Sequence, residues 1–440
     1  MLTRLSYGVY RRSSALRYRF ERRFTRAGVL VFAGTLLAAG LGADLEQAVA
    51  YQLFSFLFAL LVVSTVCSMF FRGRFGISRS LPRFGSVGDQ LVYTVRIENR
   101  TARKQSGLTL LEKLADVRMS FSEFAAVTKA RTNRSFRRAK FRTRKRALIK
   151  SAAIPPALPG AAATVEVALV PLRRGPLRFT GASIARTDPF GLVRAFVEIR
   201  APDTIIVLPR RYPLPPIALP GTLKYQQGGV AFASSVGQSE EFVSLREYRR
   251  GDPMRHIHWK SWARTGKPII KEFQDEFFVR HALILDTFGH DQQRELFEEA
   301  VSVAASFACT IQTQESLLDL MFVGPQAFCI TAGRGLAHTE QMLEVLAAVE
   351  MCADKSFTAL ETLVLQHISG VSGCLCIFIA WDEPRQNLVQ MLRAFGLPVL
   401  VLLIVREGGG DSLDRGPLNA EPAAFHALEI GKIAEGLQKL

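Results

Sequence analysis

The chain has 440 residues, 48% of them hydrophobic, a mean hydropathy of +0.15 and a formal net charge of +17. That length implies two or three folded units, and that hydropathy is high for a wholly soluble protein. The charge does not describe a uniformly basic surface: residues 1–26 carry eight Arg against one Glu, residues 129–150 carry eleven Lys or Arg and no acid, and the remainder is close to neutral.

After the basic residues 1–26, two uncharged apolar stretches follow, Ala27 to Ala43 and Ala48 to Phe71, with Asp44 and Glu46 between them. The second is long enough for a bilayer span and the first is near the lower limit. Arg-rich sequence flanks both outer ends, with Arg72 and Arg74 after the second stretch. The positive-inside rule then predicts a transmembrane α-hairpin over 27–71 with both ends cytoplasmic. A cleaved signal peptide is the rival reading; the long basic lead and the immediate second apolar stretch favour the hairpin. The six Cys, at 67, 309, 329, 352, 374 and 376, form no regular framework, as expected of small buried thiols in a reducing compartment. Cys374 and Cys376 share one face of a predicted strand, the spacing of a metal pair.

Residues 75–215 read as short strands. Leu91 to Asn99 alternates between turn signals, and runs at 164–170, 177–186, 192–199 and 204–209 follow between prolines, the pattern of an antiparallel β-sandwich. D-P-F-G-L at 188–192 reads as a rigid turn. The basic run 129–150, with Phe136 and Phe141 interleaved, interrupts the strands as an insertion. Three readings are open for it: nucleic-acid binding through phosphates, a loop on anionic lipid headgroups, or a solvated loop without a partner.

Residues 216–278 form a linker followed by a segment, 237–273, in which Arg, Glu, Asp and His alternate with Phe, Leu, Tyr, Trp and Ile. Such a mixture suits guanidinium groups lying on rings and pairing with carboxylates. His256 and His258, with Asp252 and Glu247 near in sequence, permit a hydrolytic or metal-dependent enzyme, but no G-x-S-x-G, H-E-x-x-H or P-loop accompanies them. From 279 to 440 continuous apolar strands alternate with helices, which argues a parallel α/β sheet covered on both faces. Strands are predicted at 279–286, 316–323, 327–331, 374–381 and 397–405, with helices at 294–311, 339–352, 358–368 and 384–395. T-A-L-E at 358–361 fits a capping box. Asp286 and Asp382 fall at the carboxyl ends of strands, where such sheets bind ligands.

The segment closely resembles the signature of the bacterial family known as domain of unknown function 58. The matching residues are Glu241-Phe242, Leu245-Arg246-Glu247-Tyr248, Gly251-Asp252, Arg255, Ile257, Trp259-Lys260, Ala263-Arg264 and Lys271-Glu272-Phe273. The resemblance extends over nearly the whole chain: the membrane hairpin, a β-sandwich with R-R-G at 173–175 and D-P-F-G-L, and a Rossmann-like domain similar to von Willebrand factor type A. The insertion 129–150 and Trp262 depart from it. Von Willebrand A domains often hold Mg²⁺ through D-x-S-x-S, a Thr and an Asp. Here the first motif reads Asp286-Thr287-Phe288-Gly289-His290, lacking both serines, with Thr358 and Asp382 as the other matches. A degenerate site retained as a contact surface or for folding is the expectation, with Mg²⁺ the one candidate cofactor and no catalytic residues.

The resemblance further implies an inner-membrane, multi-pass protein with a large cytoplasmic C-terminal region. Family members resemble partners of MoxR-type AAA+ ATPases, so a scaffold or adaptor rather than an enzyme is expected. Arg246, Tyr248, Gly251, Asp252, Arg255, Trp259, Arg264 and Glu272 then form either a partner surface or a structural wrap around the α/β domain. Nucleic-acid binding through 129–150 is the alternative to a protein partner.

Overall fold

A computed structural model describes residues 22–41, 48–115, 146–215, 242–250, 252, 254, 257–273, 280–310, 317–332, 336–409 and 414–440. The chain divides into two compact units, Met1–Leu208 and Pro209–Leu440.

In the first unit two apolar helices, α1 (Arg26–Leu41) and α2 (Ala48–Met69), pack side by side, with Gly34 beside Leu57. Neither carries a polar face, and Leu30, Leu37, Val49, Phe56 and Met69 stand exposed, which is unlike the one-sided patterning of a surface helix in water. Val49–Met69 is long and apolar enough to cross a membrane; α1, with 16 residues, is shorter.

Ten strands follow: β1 (Phe75–Ser80), β2 (Phe84–Ser86), β3 (Leu91–Asn99), β4 (Leu108–Leu114), β5 (Ala147–Ile149), β6 (Ala152–Ile154), β7 (Ala162–Pro171), β8 (Gly175–Thr187), β9 (Arg194–Ile199) and β10 (Asp203–Leu208). One sheet has the order β1-β3-β7-β5 and the other β2-β10-β8-β4-β6, with β9 also on β8. Alternating residues of both sheets form one core, including Val95, Ile97, Val167 and Leu169 from the first and Leu110, Phe179, Ile184 and Val207 from the second. The predicted alternation is present, but β10 pairs β2 in parallel, and β1, β2, β4, β5 and β6 are additional to the predicted strands. Ala147–Ile149 places the end of the basic run on β7 as an edge strand; residues 129–145 lie outside the described residues. A buried Arg79 on β1 joins the two sheets, with Nε and Nη2 donating to Glu112 on β4 at 3.0 and 2.7 Å and Nη1 to Asp203 on β10 at 2.7 Å.

In the second unit β11 (Phe242–Glu247) and β12 (Ile269–Phe273) form an antiparallel pair spanned by α3 (Trp259–Thr265). The main sheet has six strands in the order β15-β14-β13-β16-β17-β18: β13 (Arg280–Leu285), β14 (Leu317–Val323), β15 (Ala327–Ala332), β16 (Gly373–Phe378), β17 (Val399–Val405) and β18 (Phe425–Glu429). Helices α4 (Arg294–Thr310), α5 (Leu336–Ala348), α6 (Thr358–His367), α7 (Glu383–Ala394) and α8 (Ile433–Leu437) connect or follow them. Ala282, Ile284, Cys374, Cys376 and Val401 pack on α6 and α7 through Leu360, Val364, Leu388 and Leu392. The intervening Leu283, Leu285, Leu375, Ile377 and Leu402 are buried on the opposite face, where α4 lies against β13, β16 and β17. Burial on both faces is why these strands read as continuous apolar runs.

Four expectations are corrected. The sheet is mixed, because only Gly324, Pro325 and Gln326 join β14 to β15, too few residues for a parallel crossover, and the pair is antiparallel. Thr358 opens α6 without a capping box: the N-cap position is Phe357, no side chain caps there, and Ser356 Oγ accepts from the Thr358 amide at 3.2 Å. A sixth strand, β18, and α8 complete the sheet beyond the last predicted strand. Residues 209–215, read with the strand-rich region, belong to the second unit, where the Tyr212 amide donates to Ser306 at 2.7 Å and its hydroxyl to Glu299 at 2.6 Å, both on α4.

Candidate functional site

Two places in the second unit carry the predicted site residues. The first is the β11–α3–β12 segment. Arg246 on β11 grips Asp252 with both guanidinium ends, at 2.7 and 2.8 Å, and the Arg249 amide donates to the same carboxylate at 2.8 Å. These bonds, led by the one from Arg246, hold the Asp252 carboxyl down at about 2. The turn after β11 is thereby fixed although it lies in water. Tyr248 and His258 donate backbone bonds to Pro268 and Ile269, at 2.9 and 2.8 Å, which tie both ends of the turn to β12.

Helix α3 starts at Trp259 and stops at Gly266, whose φ of 71° is the left-handed conformation that ends helices. It has no buried residue; Ile257 and Ile270, paired across the segment, are the buried contact beneath it. Trp259 is 64% exposed and stacks on Trp262, with ring centroids 5.3 Å apart and planes 18° from parallel. Lys260 and Arg264 are exposed on the same helix. Glu272 lies on β12 opposite Ser244, and Gly251, Arg255 and His256 lie outside the described residues. His258 points Nδ1 at Ser261 Oγ, 2.6 Å away.

The second place is the carboxyl edge of the main sheet. Asp286, the residue after β13, is fully buried. Its carboxylate accepts from the Phe288 amide at 2.9 Å, the Ile379 amide at 3.2 Å, and Arg385 Nε and Nη2 at 2.7 and 3.1 Å. Arg385 Nη1 donates to Asp382 at 2.6 Å and Nη2 to the Phe288 carbonyl at 3.0 Å, while the guanidinium lies 4.8 Å from the centre of the Phe357 ring. Asp382 is the N-cap of α7 but makes no cap bond, its carboxylate being turned to Arg385 one turn on.

This arrangement tests whether Asp286, Thr358 and Asp382 fit a divalent ion. Both carboxylates close on one guanidinium, and the Thr358 hydroxyl pairs with Ser356. As placed, the three do not form an oxygen shell open to Mg²⁺. Among the described residues no group of three or more His, Cys, Asp or Glu is placed to hold a metal ion. Cys374 and Cys376 are buried, and burial pushes the Cys376 thiol well above its usual range, so the thiolate a metal needs is disfavoured. Arg385 is the residue that sequence reading missed. Its signal was D-E-P-R, an Arg three residues after a strand-end Asp with Pro384 in the first helical turn.

The second unit is thus a helix-covered mixed sheet with a charge-compensated strand edge, and a separate Trp-bearing hairpin. Residues 244–402, which contain both places, match the model of the family described as Protein of unknown function DUF58. The chain is 28% identical over 186 residues to an uncharacterized protein, YeaD, of Bacillus subtilis (strain 168); the match covers 41% of this chain and 44% of that protein, less than half its length. Among solved structures, the CARDB domain of PF1109 from Pyrococcus furiosus matches over 30% of this chain and 93% of its own, at 11% identity and a TM-score of 0.17. The ASH/PapD-like domain of human CEP192 matches over 31% and 87%, at 11% identity and a TM-score of 0.17. Likenesses this slight support no statement about function.

Proposed function

We propose that this chain is a membrane-anchored cytoplasmic scaffold or adaptor that docks a protein partner on the β11–α3–β12 segment. The observation that carries this reading is the exposed Trp259, stacked on a partly buried Trp262 on a helix that buries none of its own residues. Large rigid aromatics beside Lys260 and Arg264 supply the contact area and charge of an interface hot spot, and the Arg246–Asp252 clamp holds the helix in place for binding. The same clamp serves the structural role of the signature residues, so Arg246 and Asp252 position the surface and Trp259, Trp262 and Arg264 form it.

The partner class is a MoxR-type AAA+ ATPase, on the strength of the family resemblance. The α/β domain is read as a von Willebrand A-like module in which Arg385 supplies the positive charge that Mg²⁺ would bring. The helices α1 and α2 are read as a membrane hairpin, with the bulk of the chain in the cytoplasm and the protein multi-pass in the inner membrane.

The test is crosslinking of the full chain in native membranes followed by mass spectrometry. The Trp259→Ala/Trp262→Ala double variant is expected to fold as wild type does, because Trp259 is 64% exposed and no residue of α3 is buried, yet to lose the ATPase. Undiminished recovery of the same partners by the double variant would overturn the docking surface. Absence of any AAA+ ATPase from the wild-type crosslinks would overturn the partner class.

A further inference from the structure

The D-P-F-G-L turn does more than join two strands. Its carboxylate, Asp188, is buried and gathers three backbone amides, those of Phe190, Leu192 and Val193, at 3.0, 2.7 and 2.7 Å. Gly191, at φ 74°, completes the turn. With its amides drawn inward, the turn presents carbonyls outward to the start of α1. The Thr25 hydroxyl donates to Gly191 at 2.6 Å and its amide to Leu192 at 3.0 Å, and Phe24 bridges Val193. Gly28 lets the helix close on the turn, since a Cβ there would stand 2.1 Å from the Leu192 carbonyl oxygen. Leu192 and Val193 then pack with Leu61 of α2 and with Phe24, Val31 and Phe32.

This contact sets a depth. Gly28 lies two residues inside the Arg26 end of α1, and Leu61 lies eight residues before the Met69 end of α2. At 1.5 Å per residue these are about 3 and about 12 Å inside the apolar stretches. The turn therefore docks within the end of the apolar band rather than beyond it. Phe190, at its tip, is 52% exposed, and so are the apolar side chains next along each helix from the docking contacts, Val29 and Leu30 after Gly28 and Val62 and Val63 after Leu61. Exposed arginines flank the same ends of the two helices, Arg23 and Arg26 at the start of α1 and Arg72 and Arg74 after α2, and the Arg186 guanidinium lies 5.9 Å from the centre of the Phe71 ring. An apolar tip with cations at the helix ends matches the bilayer interface, with acyl chains below and anionic headgroups around.

We propose that Phe190 is a lipid-inserted anchor, and that the 188–193 turn locks the β-sandwich to the helix pair with this ring held in the membrane interface. The proposal rests on the membrane reading of α1 and α2. It needs no particular protein partner.

The test places the photocrosslinking residue p-benzoylphenylalanine at three exposed positions of the full chain, reconstituted in phosphatidylcholine/phosphatidylglycerol vesicles. Leu30→p-benzoylphenylalanine reports on the helix pair itself. Leu172, at the opposite end of the 13-residue β8 from Asp188, is the reference away from lipid. Lipid adducts at positions 30 and 190 and none at 172 are expected. Adducts at 30 with none at 190 overturn the anchor while leaving the membrane reading intact. No adduct at 30 overturns both. Equal adducts at 190 and 172 overturn the assignment of this turn as the inserted element.

Discussion

Arg385 holds Asp286 by two hydrogen bonds, Nε to Oδ2 at 2.7 Å and Nη2 to Oδ1 at 3.1 Å, with both side chains out of water. A guanidinium thus sits on the strand-end carboxylate and neutralises it. Removing one partner leaves the other charge buried and alone. Arg385→Ala is expected to destabilise the second unit by about 3–5 kcal/mol. Asp382→Ala, whose side chain is 50% exposed, is expected to cost less than about 1 kcal/mol. Chemical denaturation in detergent measures both, and adding or chelating Mg²⁺ is expected to leave the wild-type melting temperature unchanged.

The Arg79–Glu112 pair in the sandwich has side chains 0% and 1% exposed and crosses between the two sheets. Arg79→Ala is expected to cost about 3–5 kcal/mol, by the same argument of an orphaned buried charge. Arg79→Met combined with Glu112→Leu is expected to recover most of that loss. A double-mutant cycle from denaturation midpoints reads the coupling directly.

His281 on β13 is buried, and burial lowers its pKa from the ordinary value. The unfolded chain then binds the proton more readily than the folded one. Stability conferred by the neutral ring is fully present above the ordinary histidine range and is lost as pH falls below it toward the depressed folded value. Melting temperatures of the second unit are expected to drop on acidification below about pH 6.5. His281→Leu is expected to flatten that slope, whatever it does to the melting temperature at neutral pH.

Asp252 titrates at about 2, held there chiefly by Arg246. A depressed carboxyl contributes stability above its unfolded pKa and loses it as pH falls through the folded value. The turn is therefore expected to stay clamped down to about pH 2. Hydrogen exchange at the Arg249 amide, which donates to Asp252 at 2.8 Å, reports the clamp. Asp252→Asn is expected to lose that protection already at neutral pH, because the asparagine side chain cannot take the bidentate, charge-assisted bond.

Much of the architecture was legible because burial writes itself into composition. The sheet of the second unit is buried on both faces, so β16 and β17 appear as continuous apolar runs, and β13 and β14 are apolar apart from Arg280, His281 and Asp319. The sandwich strands β3 and β7 alternate because each has one face on the core. Strands β5 and β6 have only three residues each, too short for a period, and β18, F-H-A-L-E, is too polar to match the buried pattern. At the candidate site, Asp286 and Asp382 were placed at strand ends by their position after apolar runs. D-E-P-R could have signalled the local Arg385–Asp382 pair, but the bond to Asp286 was not legible, because it joins residues 99 positions apart.

Local periodicity and composition account for the apolar stretches, the strand-rich middle, the helix-covered sheet and the aromatic-basic segment. Tertiary structure decided which charges meet. It set Arg385 on Asp286, Arg79 between two sheets, and the carbonyls of Gly191 and Leu192 on Thr25. Each of these pairings joins residues separated by 33 positions or more. Local propensity carries no information at such separations; only the closing of the core brings the groups into contact and removes the water that would otherwise screen them.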